Sequence, residues 1–368
     1  MTGADRMPEP VVRRIPWNRR SDDVQGLLNR EWLVTNGLGG YASGTIAGVI
    51  TRRYHGTLVA ALANPLGRMV MLNHLDEWLT LADGTVVQLT GEERAGATSR
   101  VPAARHLEEF RLEDGFPVWR FVFEETVVER RILMPYHQNT VHVTYTLLRG
   151  DAPLRLELRP AVHFRSYEAP VSAPMHERYH LRASGGFYLL EASGGELPPL
   201  RIRLHGADGS FTADERLISE VMYPVEESRG YEFRGALWTP GGFTLALRGG
   251  EPATLIASTE PEDVMTALAP DEACRLERER RHARIAAAPG PLREGVGAEL
   301  VLAADQFIIT PAGRLADRVR ARALDDDVRT IIAGYHWFTD WGRDTMISLE
   351  GLTLCTGRQR EDLLPWFG

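Results

Sequence analysis

The stretch "GYHWFTDWGRDT", Gly334 to Thr345, places Trp337, Phe338 and Trp341 beside Asp340, Arg343 and Asp344. A neutral sugar is a good match for such a set. An indole covers the apolar face of the ring, while an Arg and an Asp divide the surrounding hydroxyls between a donor and an acceptor. "DWGRD" supplies all three kinds of group within five residues, with Gly342 permitting a tight turn. Each residue also has an ordinary structural use. Asp344 would cap a helix starting near Thr345, Arg343 would be a surface residue or half of an ion pair, and aromatic side chains four apart would meet in a core.

A second unusual stretch, "NGLGGYASG", is rich in glycine. A dinucleotide fingerprint needs a helix after it and an acidic residue about 20 positions on. The next residues, "TIAGVITRRYHGTLVAAL", are instead β-branched and glycine-containing in a way that favours hairpins, so tight turns are expected in place of a nucleotide site. Asn36, Arg53, Tyr54 and His55 remain as residues that could edge one side of a sugar cleft.

Composition removes several classes. The formal net charge of -8 argues against a nucleic-acid partner, whose phosphates require a basic surface. All 42 basic residues are Arg, which excludes a Walker A lysine, a Schiff-base lysine and a lysine general base. Cys274 and Cys355 have neither CxxC nor Cys/His ligand spacing and read as reduced thiols. The 11 histidines show no HExxH pattern, so no metal site is expected; His163 and His205 read as surface or cross-strand residues. No GxSxG elbow occurs. The amino terminus lacks an apolar h-region and no run is long enough for a membrane span, so a cytoplasmic protein with no membrane partner is expected. Oligomeric state is not encoded in these features.

The elements that must position these residues change character along the chain. At 368 residues it exceeds the ~250 to 300 at which single cores divide. From about Arg30 to Ser258 the period is two: in "TVHVTYTLL", Val141, Val143, Tyr145 and Leu147 alternate with Thr140, His142, Thr144 and Thr146, as in a strand with one wet face. Turn signals such as "LEDGF", "ASGG" and "TPGG" separate the runs. A large antiparallel β-sandwich is expected over residues 1–260. Residues 261–290, rich in Glu and Arg, read as a largely solvated linker helix. Over 291–368, "GAELVLAADQFII" and "TMISLEGLTLCTG" read as helices apolar around most of their circumference, implying burial between further helices. The chain is therefore expected to stop inside its second domain.

Two long segments carry a family resemblance. "AADQFIIT" followed by "TIIAGYHWFTDWGRDTMISLEGLTLCTGR" resembles the opening of the catalytic domain of bacterial and archaeal glycogen debranching enzymes, the amylo-α-1,6-glucosidase family. "EWLVTNGLGGYASGTIAGVITRRYHGTLVAAL" resembles the signature of that family's amino-terminal domain. The resemblance implies a β-sandwich, a helical linker and the start of an (α/α)6 toroid. It also implies that Trp341, Arg343 and Asp344 contact a non-reducing glucosyl unit of glycogen or maltodextrin without cleaving it. The implied reaction is cofactor-free, inverting hydrolysis of α-1,6-linked stubs by two carboxylates. In the family these lie later in the chain, so none is assigned up to Gly368; Asp340 is the nearest alternative. A noncatalytic glucan-binding fragment, a sandwich-toroid phosphorylase or another α-glucosidase would fit the same motifs.

Overall fold

The computed structural model describes residues 9–16, 24–95, 104–150, 152–176, 178–323 and 327–358. The extreme amino terminus and the residues after Arg358, the latter counted in the expected toroid start, lie outside them. The alternating runs form antiparallel strands in three larger sheets. The first has nine strands, in the order Val12–Ile15, Leu107–Glu113, Phe116–Phe123, Thr126–Leu133, Thr140–Arg149, Ala253–Ser258, Leu200–His205, Phe187–Ala192 and Tyr179–Ser184. The second has six, centred on Leu154–Ala161 and Arg234–Leu247. The third is a meander of Glu31–Thr35, Tyr41–Thr45, Gly56–Ala61 and Arg68–Leu72, closed by Arg165–Ser166.

One core joins the three sheets. Val141, Val143, Tyr145 and Leu147 enter it from the first, Leu156, Leu158 and Leu245 from the second, and Trp32, Leu58 and Met71 from the third. The period-two reading marks these core side chains, whose burial supplies the main driving force, but the opposite face is not all wet: Thr140 and His142 are buried too. His205 is exposed and lies across from Thr254, as a cross-strand residue. His163 departs from expectation: it lies off the strands, is 2% exposed, and its amide donates to Asn73 Oδ1 at 2.6 Å.

After Ser258 the chain turns helical, with helices at Glu262–Met265, Pro270–Ala287, Gly295–Phe307 and Gly342–Leu349. The helix Pro270–Ala287 is less solvated than its composition suggests. Glu277 and Arg281 on its inner face are buried, Arg281 donates to the carbonyl of Asp114 at 2.6 Å, and Arg278 pairs with Asp114 and Glu113. Charged residues here fasten the helix to the first sheet. The helix Gly295–Phe307 buries Ala298, Val301 and Leu302 but leaves Val296 and Leu300 about 60% exposed. In the helix Gly342–Leu349, Met346 and Ile347 are exposed. The expected all-round burial is therefore not reached: among the described residues each helix covers one apolar face. No described helix is long and apolar enough to cross a membrane, and Cys274 and Cys355 are free thiols.

Candidate functional site

The two motifs singled out in the sequence meet in space, through the third sheet. In "NGLGG", Gly37 and Gly39 adopt positive φ angles of 73° and 97°. A Cβ at Gly37 would stand 2.2 Å from the Tyr136 ring. The turn leads into the strand Tyr41–Thr45, not a helix, which accounts for the glycines without a nucleotide. Asn36 is fully buried. Its amide donates to the carbonyl of Gln138 and to Asn139 Oδ1, both at 3.0 Å, and its Oδ1 accepts from the Leu38 amide. It supports the turn from beneath and does not edge a cleft.

The segment 330–341 lies against this sheet as a closed loop. The Ile332 amide donates to the carbonyl of Phe307, the Ala333 amide to Thr339, and the Phe338 amide to Gly334. Arg68, 7% exposed, reaches across from its strand and donates to the carbonyls of His336 at 3.3 Å and Phe338 at 3.0 Å. Its guanidinium lies 5.2 Å from the ring centroids of Tyr167 and Tyr335 and 5.9 Å from that of Tyr41. The aromatic rings exclude water from these bonds, which strengthens them. Tyr41 and Tyr335 are themselves edge to face at 5.7 Å.

His336 is the buried pin of the loop. Its Nε2 lies 2.6 Å from Ser43 Oγ, and Ser43 donates its only hydroxyl proton to the carbonyl of Trp32 at 2.8 Å. The proton between His336 and Ser43 must therefore come from His336, leaving Nδ1 as a bare acceptor; that atom is buried without a partner. His55, 1% exposed, accepts the Thr51 amide at Nδ1, so its own proton sits on Nε2, 3.6 Å from Glu31 Oε1. Glu31 in turn accepts from Arg52 at 2.5 Å.

One ligand atom from each of Glu31, His55 and His336 falls within 4.8 Å of the others, a spacing that could hold a metal ion and that no sequence pattern suggested. The hydrogen bonds argue for a different use. A metal would need the lone pair of His55 Nε2, and the Thr51 amide keeps a proton there. The trio instead presents one donor between two acceptors. Burial, and then the neighbouring His55, push the His336 imidazole down to about 3. Glu31 is raised by burial but brought to about 2 overall by His55 and Arg52. At neutral pH His336 is uncharged and Glu31 ionised.

Beyond this buried layer the loop presents its rings outward. Trp341 is 50% exposed, Phe338 47% and Trp337 37%, so these three are not core residues. Phe338 and Trp341 meet edge to face at 6.2 Å, and Arg52 lies 5.6 Å from the Trp337 ring centroid. Trp341, with extended backbone, is the residue that precedes the helix, which starts at Gly342 and not near Thr345. Asp344 therefore does not cap it; it stands in the first turn, where the helix dipole favours a carboxylate. Arg343 pairs with Asp344 at 3.1 Å while staying largely exposed, and Asp344 Oδ2 has no hydrogen-bond partner of full geometry. Asp340 is held by Arg314 at 2.8 Å.

The remaining cleft-edge residues divide. Arg53 pairs with the buried Glu226 at 3.3 Å and stacks on Tyr231 and Tyr54. Tyr54 is 8% exposed, 6.5 Å from the ring of Trp337, and its carbonyl accepts from Tyr41. Tyr54 and His55 thus lie behind the exposed rings as backing. Ser43, Arg68, Glu31 and His336 escaped the sequence reading. Each acts through a partner that is remote in sequence or hidden inside a motif: Glu31, Ser43 and His336 fall within the quoted segments, and Arg68 lies outside them.

Comparisons with known proteins bear on the same two segments. Structural similarity to solved proteins is slight. It includes a bacterial glucoamylase complexed with acarbose, at 8% identity and a TM-score of 0.28 over 68% of this chain and 32% of that one. It also includes a polysaccharide lyase, at 10% identity and a TM-score of 0.27 over 64% and 33%. This chain thus spans about a third of either. No curated protein sequence matches it. Family models do: residues 302–363 match amylo-alpha-1,6-glucosidase, and residues 30–254, more than half of the chain, match the glycogen debranching enzyme N-terminal domain. The chain belongs to the glycogen debranching enzyme family.

Proposed function

We propose that the protein is a debranching glycoside hydrolase that removes α-1,6-linked glucosyl stubs from glycogen or maltodextrin. The observation that supports this reading is the docking of the loop 330–341 on the third sheet, where Arg68 and His336 anchor it from behind and Trp341 stands half exposed just before the Arg343–Asp344 pair. The non-reducing glucosyl ring lies on the Trp341 indole. Arg343 donates to its hydroxyls and Asp344 accepts from them, with the Arg343–Asp344 pair opening to do so. An exposed pair at this distance is worth little, so sugar hydroxyls can replace it.

In this reading residues 1–260 form the sandwich, 261–290 the linker and 291–368 the start of an (α/α)6 toroid. The helices with one bare apolar face, Gly295–Phe307 and Gly342–Leu349, are what a toroid would cover. Cleavage is by inversion: a carboxylic acid protonates the glycosidic oxygen and a carboxylate deprotonates the attacking water, with ~6.5 to 9.5 Å between them. Neither role is assigned to Asp340, which pairs with Arg314. No cofactor takes part, and the free thiols fit a cytoplasmic setting. The test is glucose release from a branched limit dextrin by the full-length enzyme, which carries the two carboxylates. Release that Trp341→Ala lowers by a factor of 10 or more supports the reading, and no release contradicts it.

A further inference from the structure

The nine-stranded sheet turns its second face to a cleft of about 600 Å3. Its volume lies in the range typical of small-ligand sites. The cleft shares no lining residue with the Trp341 loop or with the Glu31, His55 and His336 group. The strand register builds it. Thr144 lies across from Arg131 on one side and from Thr254 on the other, and Thr254 across from His205. In the next row Leu133 lies across from His142. The start of the helix Pro270–Ala287 forms a wall with Pro270, Asp271 and Cys274.

The polar groups of this cleft are incompletely used. His142 lines it, is 3% exposed, and its Nδ1 is buried without a hydrogen-bond partner. Burial, and then His205, push its imidazole down to about 4, so at neutral pH it offers one donor and one acceptor. A sugar hydroxyl, which can either donate or accept, can satisfy a ring nitrogen of either kind. The Thr144 and Thr254 hydroxyls share one bond at 2.9 Å, and one of their protons is left over. Charge selects further. Arg131 is answered by Glu113 and Glu129, while Glu251 and Asp271 have no ion-pair partner among the described residues, so the wall is net negative and repels phosphates. Leu133, Pro252 and Pro270 supply apolar surface for a ring face.

We propose that this cleft is a second, noncatalytic binding site for a neutral polyhydroxyl ligand, one or two glucosyl units of an α-glucan chain, with His142 matching a hydroxyl at its floor. The choice of glucan rests on the function proposed for the Trp341 loop; the cleft's preference for a neutral polyol does not.

The test is calorimetric titration of maltotriose, with glucose 1-phosphate as the charged probe, into the protein carrying Trp341→Ala, so that only the cleft is read. Two further variants are compared in that background. His142→Leu removes the matching nitrogens, and Thr146→Trp fills the cleft from a half-exposed position, keeping the test open should His142→Leu fail to fold. Maltotriose binding that either folded variant weakens at least tenfold, with the phosphate binding more weakly, supports the site. No maltotriose binding in the Trp341→Ala protein, equal affinity in folded variants, or a preference for the phosphate overturns it. Loss of glucose release with cleft binding intact would count against the proposed function alone.

Discussion

His336 Nε2 donates to the hydroxyl of Ser43 across 2.6 Å, joining residues 293 positions apart and tying the loop 330–341 to the third sheet. The bond is buried, and the direction of its proton is set by the Trp32 carbonyl, which takes the only proton Ser43 can give. Ser43→Ala leaves a buried N–H without an acceptor. The cost should be about 1 to 3 kcal/mol, read as a lower denaturant midpoint with an unchanged m value. Ser43→Thr, which keeps the oxygen, should lose less.

Arg68 is the broader anchor. Substitution to Met keeps much of the aliphatic volume but abolishes the bonds to the carbonyls of His336 and Phe338. Hydrogen bonds to a charged group contribute ~1.5 to 3 kcal/mol each, so a loss of roughly 3 kcal/mol in stability is expected. Hydrogen exchange should show the loop amides opening, that of Phe338 among them, while the strand Thr140–Arg149 stays protected. Uniform protection would show that the loop does not depend on Arg68.

Acid should loosen the junction. The His336 imidazole, at about 3 in the folded protein against an ordinary value near 6.5, contributes stability that is fully present above ~pH 6.5 and is lost as pH falls toward 3, because the unfolded chain takes up the proton first. Glu31, at about 2, adds a second loss below ~pH 4.5, where only the unfolded carboxyl is protonated. Together they predict a melting temperature that declines from pH 6.5 downward. In a folded His336→Leu variant the decline between pH 6.5 and 4.5 should be visibly shallower, and an unchanged slope would remove His336 from the explanation.

Gly37→Ala tests the turn reading. A side chain there meets both a φ of 73° and the Tyr136 ring, and the left-handed conformation alone costs ~1 to 2 kcal/mol. The variant should be less stable by at least that amount, in thermal or denaturant melts. Gly84→Ala, at a similar φ with open space around it, should lose less.

Much of the fold was legible because burial in a sheet leaves a period of two: the alternation of Val141, Val143, Tyr145 and Leu147 with His142, Thr144 and Thr146 marks the core face correctly. What failed was inference from composition. The Arg-rich helix Pro270–Ala287 looked solvated because charge usually is, yet Arg278 and Arg281 find Glu113 at a strand end and the Asp114 backbone in the turn after it, more than 150 residues earlier. The start of the helix Gly342–Leu349 was misplaced because Asp344 is a good cap residue and Trp341 a poor one, and tertiary docking of the loop decided the matter. The rings drew attention by residue type, but aromatics four apart read first as core, and their exposure came only with the structure. Their support, through Ser43, Arg68 and Glu31, was not legible, since no local pattern records a partner that arrives only when two distant segments fold together.

The central claim is that one glucosyl ring rests on Trp341 between Arg343 and Asp344. A crystal structure of the protein with an α-1,6-branched oligoglucoside tests it most directly. The account predicts a terminal ring in van der Waals contact with the indole and its hydroxyls within about 3 Å of the Arg343 guanidinium and the Asp344 carboxylate. A sugar bound elsewhere, with Trp341 bare and the Arg343–Asp344 pair still closed, would contradict it.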